Sequence, residues 1–324
     1  MAASELQPSF HRCSIPTLRR SYSGYVDIEA KHLFFYFFES RSDPDVDPVL
    51  MWINGGPGCS SSLGAFMELG PCNIHDGNGP KYNPYAWNTK ANLFLLDEPI
   101  GVGFSYANHG ETVFTTEDAA IDVAAFVSIF FETFSRFQGR GFHLSGESYG
   151  GRYLPVFASA VYDSNAVAIA EGRVPINLQS VIIGNGISDF VTMTYSYYDM
   201  TCTKASVDPI LPISTCVRMK QALPRCKAWL EDSCVNKFDS IACGAASNFC
   251  ATELSAPFRT SSMFTILFVS CSVDLVYSQE PLRHQPRLRG QHFGDALLSA
   301  HQAHQHMARP AGHSRQARRC RPHR

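Results

Sequence analysis

The chain has 324 residues, 45% of them apolar and 17% charged, with a formal net charge of −2. That balance excludes an intrinsically disordered chain, and it offers no basic surface for nucleic acid. The longest apolar run, Phe264 to Val273, is too short to span a bilayer.

Residues 1–20 carry Pro8, Pro16 and an Arg19-Arg20 pair with little periodicity, and read as a leader or mobile arm. They lack the continuous apolar segment of a secretory signal. From Ser21 the pattern becomes strand-like: Tyr25 to Ile28, then His32 to Glu39. After a polar turn comes Pro48 to Ile53. A glycine-rich loop follows directly, Asn54-Gly55-Gly56-Pro57-Gly58-Cys59-Ser60-Ser61. Such a loop lets backbone N–H groups approach a ligand closely. The Lys and Ser/Thr that close a phosphate loop are absent, whereas in a serine hydrolase this loop supplies half of an oxyanion hole.

Leu93 to Pro99 reads as a further buried strand, and Thr116 to Phe137 as an amphipathic helix with Ala119, Val123, Phe126, Val127 and Phe130 on one face. A short apolar run, Phe142 to Leu144, leads into Gly146-Glu147-Ser148-Tyr149-Gly150, and helix-like sequence, Arg152 to Ala158, follows. Gly-x-Ser-x-Gly between strand and helix is the signature of a nucleophile elbow. The sharp turn needs small neighbours, so that Ser148 Oγ projects above the sheet. The second half of the oxyanion hole is then the N–H of Tyr149. Val181 to Ile183 reads as one more buried strand, ending in Gly184-Asn185-Gly186. This alternation implies a largely parallel sheet covered by helices, an α/β fold.

Six of the eleven cysteines lie between Cys202 and Cys250, without metal-ligand spacing or nearby histidines. That favours disulfides and an oxidising compartment, although six cysteines permit fifteen pairings. The cysteines weigh more than the missing signal segment, and they imply a start upstream of Met1.

Together, Trp52 to Ser61, Glu68-Leu69-Gly70-Pro71, Gly101 to Tyr106, Gly146 to Gly151 and Ile183 to Gly186 resemble the serine carboxypeptidases, α/β-hydrolase-fold exopeptidases of peptidase family S10. The resemblance runs from about Ser21 to about Ala256. It implies an α/β-hydrolase core at 21–190 with a mostly parallel mixed sheet and helices on both faces. It also implies a disulfide-rich inserted cap at 191–256, bridged Cys202–Cys216, Cys226–Cys250 and Cys234–Cys243. By the same resemblance Ser148 is the nucleophile, and the N–H groups of Gly56 and Tyr149 form the oxyanion hole. Asn54, Gly55, Glu68 and Glu147 hold the substrate's C-terminal carboxylate. Tyr149 and Ile187 line the pocket for the residue before the cut bond. No cofactor and no metal is implied; the partner is a peptide or protein C-terminus, not a membrane or nucleic acid. The family's setting and the cysteine content point to a vacuolar or secreted protein. Two adjacent acids repel, so one keeps its proton and can donate to a carboxylate. Binding is therefore expected to favour acid pH.

A triad on this fold runs Ser, Asp, His along the chain. No histidine occurs from Arg152 to Arg283, and seven occur from His284 onward. The stretch from Arg283 has nine arginines, no lysine and one acid, Asp295. Residues 257–324 thus read as an atypical His/Arg-rich tail foreign to the family, from a retained intron or a shifted frame, with the family's last strands missing. Ala311-Gly312-His313 carries little weight as a substitute. Neither metal-ligand geometry nor interleaved aromatics gives the tail a function of its own. The sequence therefore predicts a serine-type carboxypeptidase by descent, acylated at Ser148 and inactive or nearly so as written. The alternatives are a non-catalytic truncated product that binds peptide C-termini and a carboxypeptidase-like acyltransferase.

Overall fold

A computed structural model describes residues 2–5, 20–74, 79–108, 110–204 and 208–261. The tail beyond 261, including His313, and residues 6–19 lie outside the described residues. The described residues divide into two units, up to Gly186 and from Ile187 on.

The first unit is built on one mixed sheet. Its strands are β1 (Ala2–Glu5), β2 (Ser21–Ile28), β3 (Lys31–Phe38), β4 (Val49–Ile53), β7 (Asn92–Leu96), β8 (Tyr106–Ala107), β9 (Phe142–Glu147) and β10 (Leu178–Gly184). The short pair β5 (Cys72–Asn73) and β6 (Lys81–Tyr82) stands apart. The order is β1-β2-β3-β7-β4-β9-β10, with β8 on β3. The β1, β2, β3 and β7 pairings are antiparallel, and β7-β4-β9-β10 run parallel. Residues 2–5, read from the sequence as part of an arm, form the strand paired with β2.

β3 shows why the sheet is buried on both sides. Its alternation sends Leu33, Phe35 and Phe37 into one core and Phe34, Tyr36 and Phe38 into the other. The first core is closed by α1 (Thr116–Thr133) and α2 (Gly150–Ala170), which pack on each other and on the sheet. The second lies under the π-helical turn Gly64–Glu68 and its neighbouring loops.

Thr115 caps α1 by accepting from the Asp118 N–H, with Glu117 and Asp118 favourably placed in the first turn. The helix was expected to reach Phe137 but stops at Thr133. Phe134 turns out of helical geometry, and a 3-10 turn, Ser135–Phe137, follows. After the break the Phe137 ring lies in the core against Phe37.

β10 also differs from expectation. The strand forms, but Val181, Ile182 and Ile183 are 38%, 42% and 38% exposed rather than buried. Among the described residues β10 pairs only with β9 and ends the strand order. An apolar run reports a strand's appetite for burial, not whether a neighbour covers it.

The second unit is helical: α3 (Phe190–Cys202), α4 (Ile213–Leu230), α5 (Ser240–Cys250) and α6 (Ala256–Arg259). Its core gathers Met219, Cys226, Leu230, Ala246, Cys250 and Leu254. Asp239 caps α5 through the N–H groups of Ile241 and Ala242. Three disulfides close the unit: Cys202–Cys216, Cys226–Cys250 and Cys234–Cys243. Bridges over loops of this size typically contribute about 2–4 kcal/mol each.

Candidate active site

Ser148 stands between β9 and α2 with φ +54°, a left-handed conformation rare for a residue bearing a Cβ. That turn is the elbow. Its N–H is held by the carbonyl of Gly184 at 3.0 Å. Gly146 is required by contact, because a Cβ there would lie 2.5 Å from the carbonyl oxygen of Ile53 on β4. The same demand does not hold at Gly150, where an added Cβ would meet nothing closer than 3.9 Å. The second tight glycine lies instead in the facing loop. A Cβ on Gly55 would sit 2.5 Å from the Tyr149 nitrogen and 2.9 Å from Ser148 Cβ. The glycine-rich loop therefore lies directly against the elbow. Gly56 and Gly58 follow with φ +113° and +83°, and the Cys59 N–H closes the turn on Gly55 O at 3.2 Å. Gly56 and Tyr149 are thus carried by two backbone segments in direct contact.

Beside the elbow, Asn54 links two acids. Its Nδ2 donates to Glu147 Oε1 at 3.1 Å and to both Glu68 oxygens at 3.3 Å. The amide orientation is fixed from behind, since Asn54 Oδ1 accepts from Trp52 Nε1 at 2.9 Å and from the Gly64 N–H at 3.0 Å. Burial, and then the facing charge of Glu147, push the Glu68 carboxyl up to about 7, against the hydrogen bond from Asn54. One side of Glu68 stays open to solvent, so a ligand can reach it.

Trp52 and Gly64 were not among the residues singled out from sequence. Trp52 shares a strand face with Asn54 two residues on. Gly64 is forced, because a Cβ there would lie 2.5 Å from Trp52 Nε1. Ile187 opens the second unit. The described histidines are His32 and His143, bonded to Asp27 and Ser180. His143 lies on β9 five residues before Ser148, about 16 Å along the strand. His32 lies on β3, three strands from β9 and so about 14 Å across the sheet, and neither is placed to take a proton from Ser148. Among the described residues no cluster of His, Cys, Asp or Glu could hold a metal ion. No described helix is long and apolar enough to cross a membrane.

The family profile described as serine carboxypeptidase, Peptidase_S10, matches residues 12–311. The chain belongs to the serine carboxypeptidase family. The match reaches past residue 257, beyond the stretch that carries the motifs. Carboxypeptidase Y homolog A of Emericella nidulans is 44% identical over 242 residues, covering 74% of this chain and 42% of that protein. The protein of the same name from Aspergillus niger gives the same identity and coverage. The chain thus spans less than half the length of these curated relatives. Among solved structures, Kex1(delta)p, a prohormone-processing carboxypeptidase from Saccharomyces cerevisiae, is similar with a TM-score of 0.63 at 25% identity. That match covers 77% of this chain and 57% of the other. The carboxypeptidase fold and the disulfides of this family member accord with the α/β-hydrolase expectation.

Proposed function

We propose that this chain carries the nucleophile, the oxyanion-binding amides and the carboxylate-binding site of a serine-type carboxypeptidase. The substrate is a peptide whose free C-terminal carboxylate lies on Asn54, Gly55, Glu68 and Glu147. Its last peptide carbonyl faces Ser148, and the developing oxyanion lies on the N–H groups of Gly56 and Tyr149. Tyr149 takes the side chain before the cut bond. The observation that carries the reading is the Asn54 amide joining two acids beside the elbow. Below about pH 7 Glu68 keeps its proton. It can then donate to the substrate carboxylate, where a pair of ionised acids would repel it.

A second reading has a specific support. Both described histidines are bonded elsewhere, and among the described residues no histidine follows Ser148. In this reading the polypeptide binds peptide C-termini and turns over slowly or not at all. An enzyme deprived of triad members keeps only about 10³–10⁴-fold acceleration over water, from its oxyanion hole and binding. The vacuolar or secreted setting belongs to both readings, and the three disulfides support it. One assay separates them. The purified chain is incubated at pH 5 with a peptide bearing a free C-terminus, and free amino acid is measured beside the bound fraction. We expect saturable binding with release at least a thousandfold below that of a carboxypeptidase with all three triad residues. Comparable release would eliminate the binding-only reading and require a base among residues outside those described.

A further inference from the structure

Asp97 lies buried one residue beyond β7, and its carboxylate gathers donors from two loops. Oδ1 accepts from Ser60 Oγ at 2.7 Å and from the Ser61 N–H at 2.9 Å. Oδ2 accepts from the Phe104 N–H at 2.9 Å. The fit is tight, since a Cβ on Gly103 would lie 2.0 Å from Asp97 Oδ2 and 2.7 Å from Ser60 Oγ. Ser61 continues the tie. Its Oγ donates to Leu96 O at 2.6 Å and accepts from the Asn54 N–H at 3.2 Å.

The glycine loop is thus held at two ends by different means. The Asn54 side chain is fixed by Trp52 and the Gly64 N–H, and Ser60-Ser61 by Asp97, with the bond from the Asn54 N–H to Ser61 Oγ joining the two ends. Between them lie Gly55, Gly56 and Gly58, which have no side chains to hold the backbone and are the residues most able to drift. Amides work as an oxyanion hole only when preorganised, with donors held about 2.7–3.1 Å from the position of the developing charge.

We propose that Asp97 is a positioning residue: through Ser60 and Ser61 it sets the direction of the Gly56 N–H toward the oxyanion formed at Ser148. This rests on the reading of Ser148 and Gly56 given above. It separates two functions of one loop. Loss of the Asp97 tie loosens the oxyanion end, while the Asn54 side chain keeps its bonds to Trp52 Nε1 and the Gly64 N–H.

The probe is a peptide boronic acid, compared with the same peptide ending in a carboxylic acid. Boron accepts a lone pair from Ser148 Oγ, a B–O bond forms and the Oγ proton passes to buffer base supplied in the assay, so that the adduct needs no histidine; nothing is oxidised or reduced. The resulting borate oxygen mimics the oxyanion. We expect the wild-type chain to bind the boronate at least tenfold more tightly than the carboxylate peptide. In Asp97→Asn, which sets an NH₂ group against donors, and in Ser60→Ala, which removes one tie, that preference should fall at least tenfold. Affinity for the carboxylate peptide should stay within threefold. Ser105→Ala is the control. It removes the bonds from Ser105 Oγ to the Asp97 carbonyl and from the Phe34 N–H to Ser105 Oγ, close by but off the glycine loop, and should keep the preference. If Asp97→Asn fails to fold, Ser60→Ala decides. A wild-type preference retained in Ser60→Ala, or lost equally in Ser105→Ala, overturns the positioning role. Absence of any preference in the wild-type chain overturns the reading of Ser148 and Gly56 and the proposal with it.

Discussion

Gly55→Ala is expected to lower affinity for a peptide with a free C-terminus by about ten- to a hundredfold, the scale of losing a hydrogen bond to a charged group. The new methyl would meet the Tyr149 nitrogen at 2.5 Å, the Glu147 carbonyl oxygen at 2.7 Å and Ser148 Cβ at 2.9 Å. Two of these are backbone atoms of the elbow, and the third is fixed to it. None can swing aside like the end of a long side chain. The loop and the elbow must separate, and Asn54 on one side then loses register with Glu147 on the other. Overpacking of this kind costs typically about 1–3 kcal/mol of stability, so the variant should fold and the loss of binding should be measurable by calorimetry. Gly150→Ala provides the contrast. The Gly-x-Ser-x-Gly pattern puts a glycine there, yet the site has ordinary van der Waals room, and binding should stay within threefold. Equal losses in the two variants would show that the pattern, rather than the contact between loop and elbow, governs the site.

Raising the pH should destabilise the first unit, and Glu98→Gln should remove a large share of that sensitivity. Glu98 follows Asp97 and is 1% exposed. Among the described residues neither of its carboxyl oxygens has a hydrogen-bond partner, nor does Asp122 Oδ2. The groups facing it are Asp122 on α1, Lys31 on β3 and Tyr153 on α2. Lys31 is bonded to Asp122, which leaves two buried acids to one cation. Burial first, and then the Asp122 charge, push Glu98 well above the ordinary glutamate range, with Lys31 opposing. The sign follows. A carboxyl whose folded pKa is raised binds its proton more tightly when folded. The stability it contributes is complete below the unfolded-state value and is lost as pH rises toward the folded one. Each pH unit in that window removes about 1.4 kcal/mol. Thermal melts at intervals from pH 4.5 to 8 should fall steeply for the wild-type chain and less steeply for Glu98→Gln, which keeps the neutral shape. Parallel curves would show that Glu98 titrates as an ordinary acid.

The strands and the glycine loop were legible because their signals are local. An apolar run ending in Asn-Gly-Gly, and a serine between glycines ahead of a helix, state their own geometry. What escaped depends on contacts between distant segments. Val181 to Ile183 read as buried from apolarity alone, while among the described residues β10 ends the strand order. The end of α1 was read four residues late because Phe134 and Phe137 fit the helical period, whereas Phe134 leaves helical geometry in the fold. Gly64 and Asp97 carried no pattern, since the first is dictated by Trp52 and the second by loops on either side of it. Spacing did not choose among the cysteine pairings; the pairing came through the family resemblance. The proposed carboxylate site was legible only in that way too, because Asn54, Glu68 and Glu147 lie far apart in the chain and meet through the Asn54 amide.

The account rests on Asn54, Glu68 and Glu147 forming a site for a C-terminal carboxylate next to Ser148. Calorimetric titration with one peptide in two forms, free acid and C-terminal amide, tests this most directly. At pH 5 the free acid should bind at least tenfold more tightly than the amide. That preference should shrink as pH passes through about 7, where Glu68 gives up its proton. Equal affinity for the two forms at pH 5 would contradict the account, whatever the reactivity of Ser148.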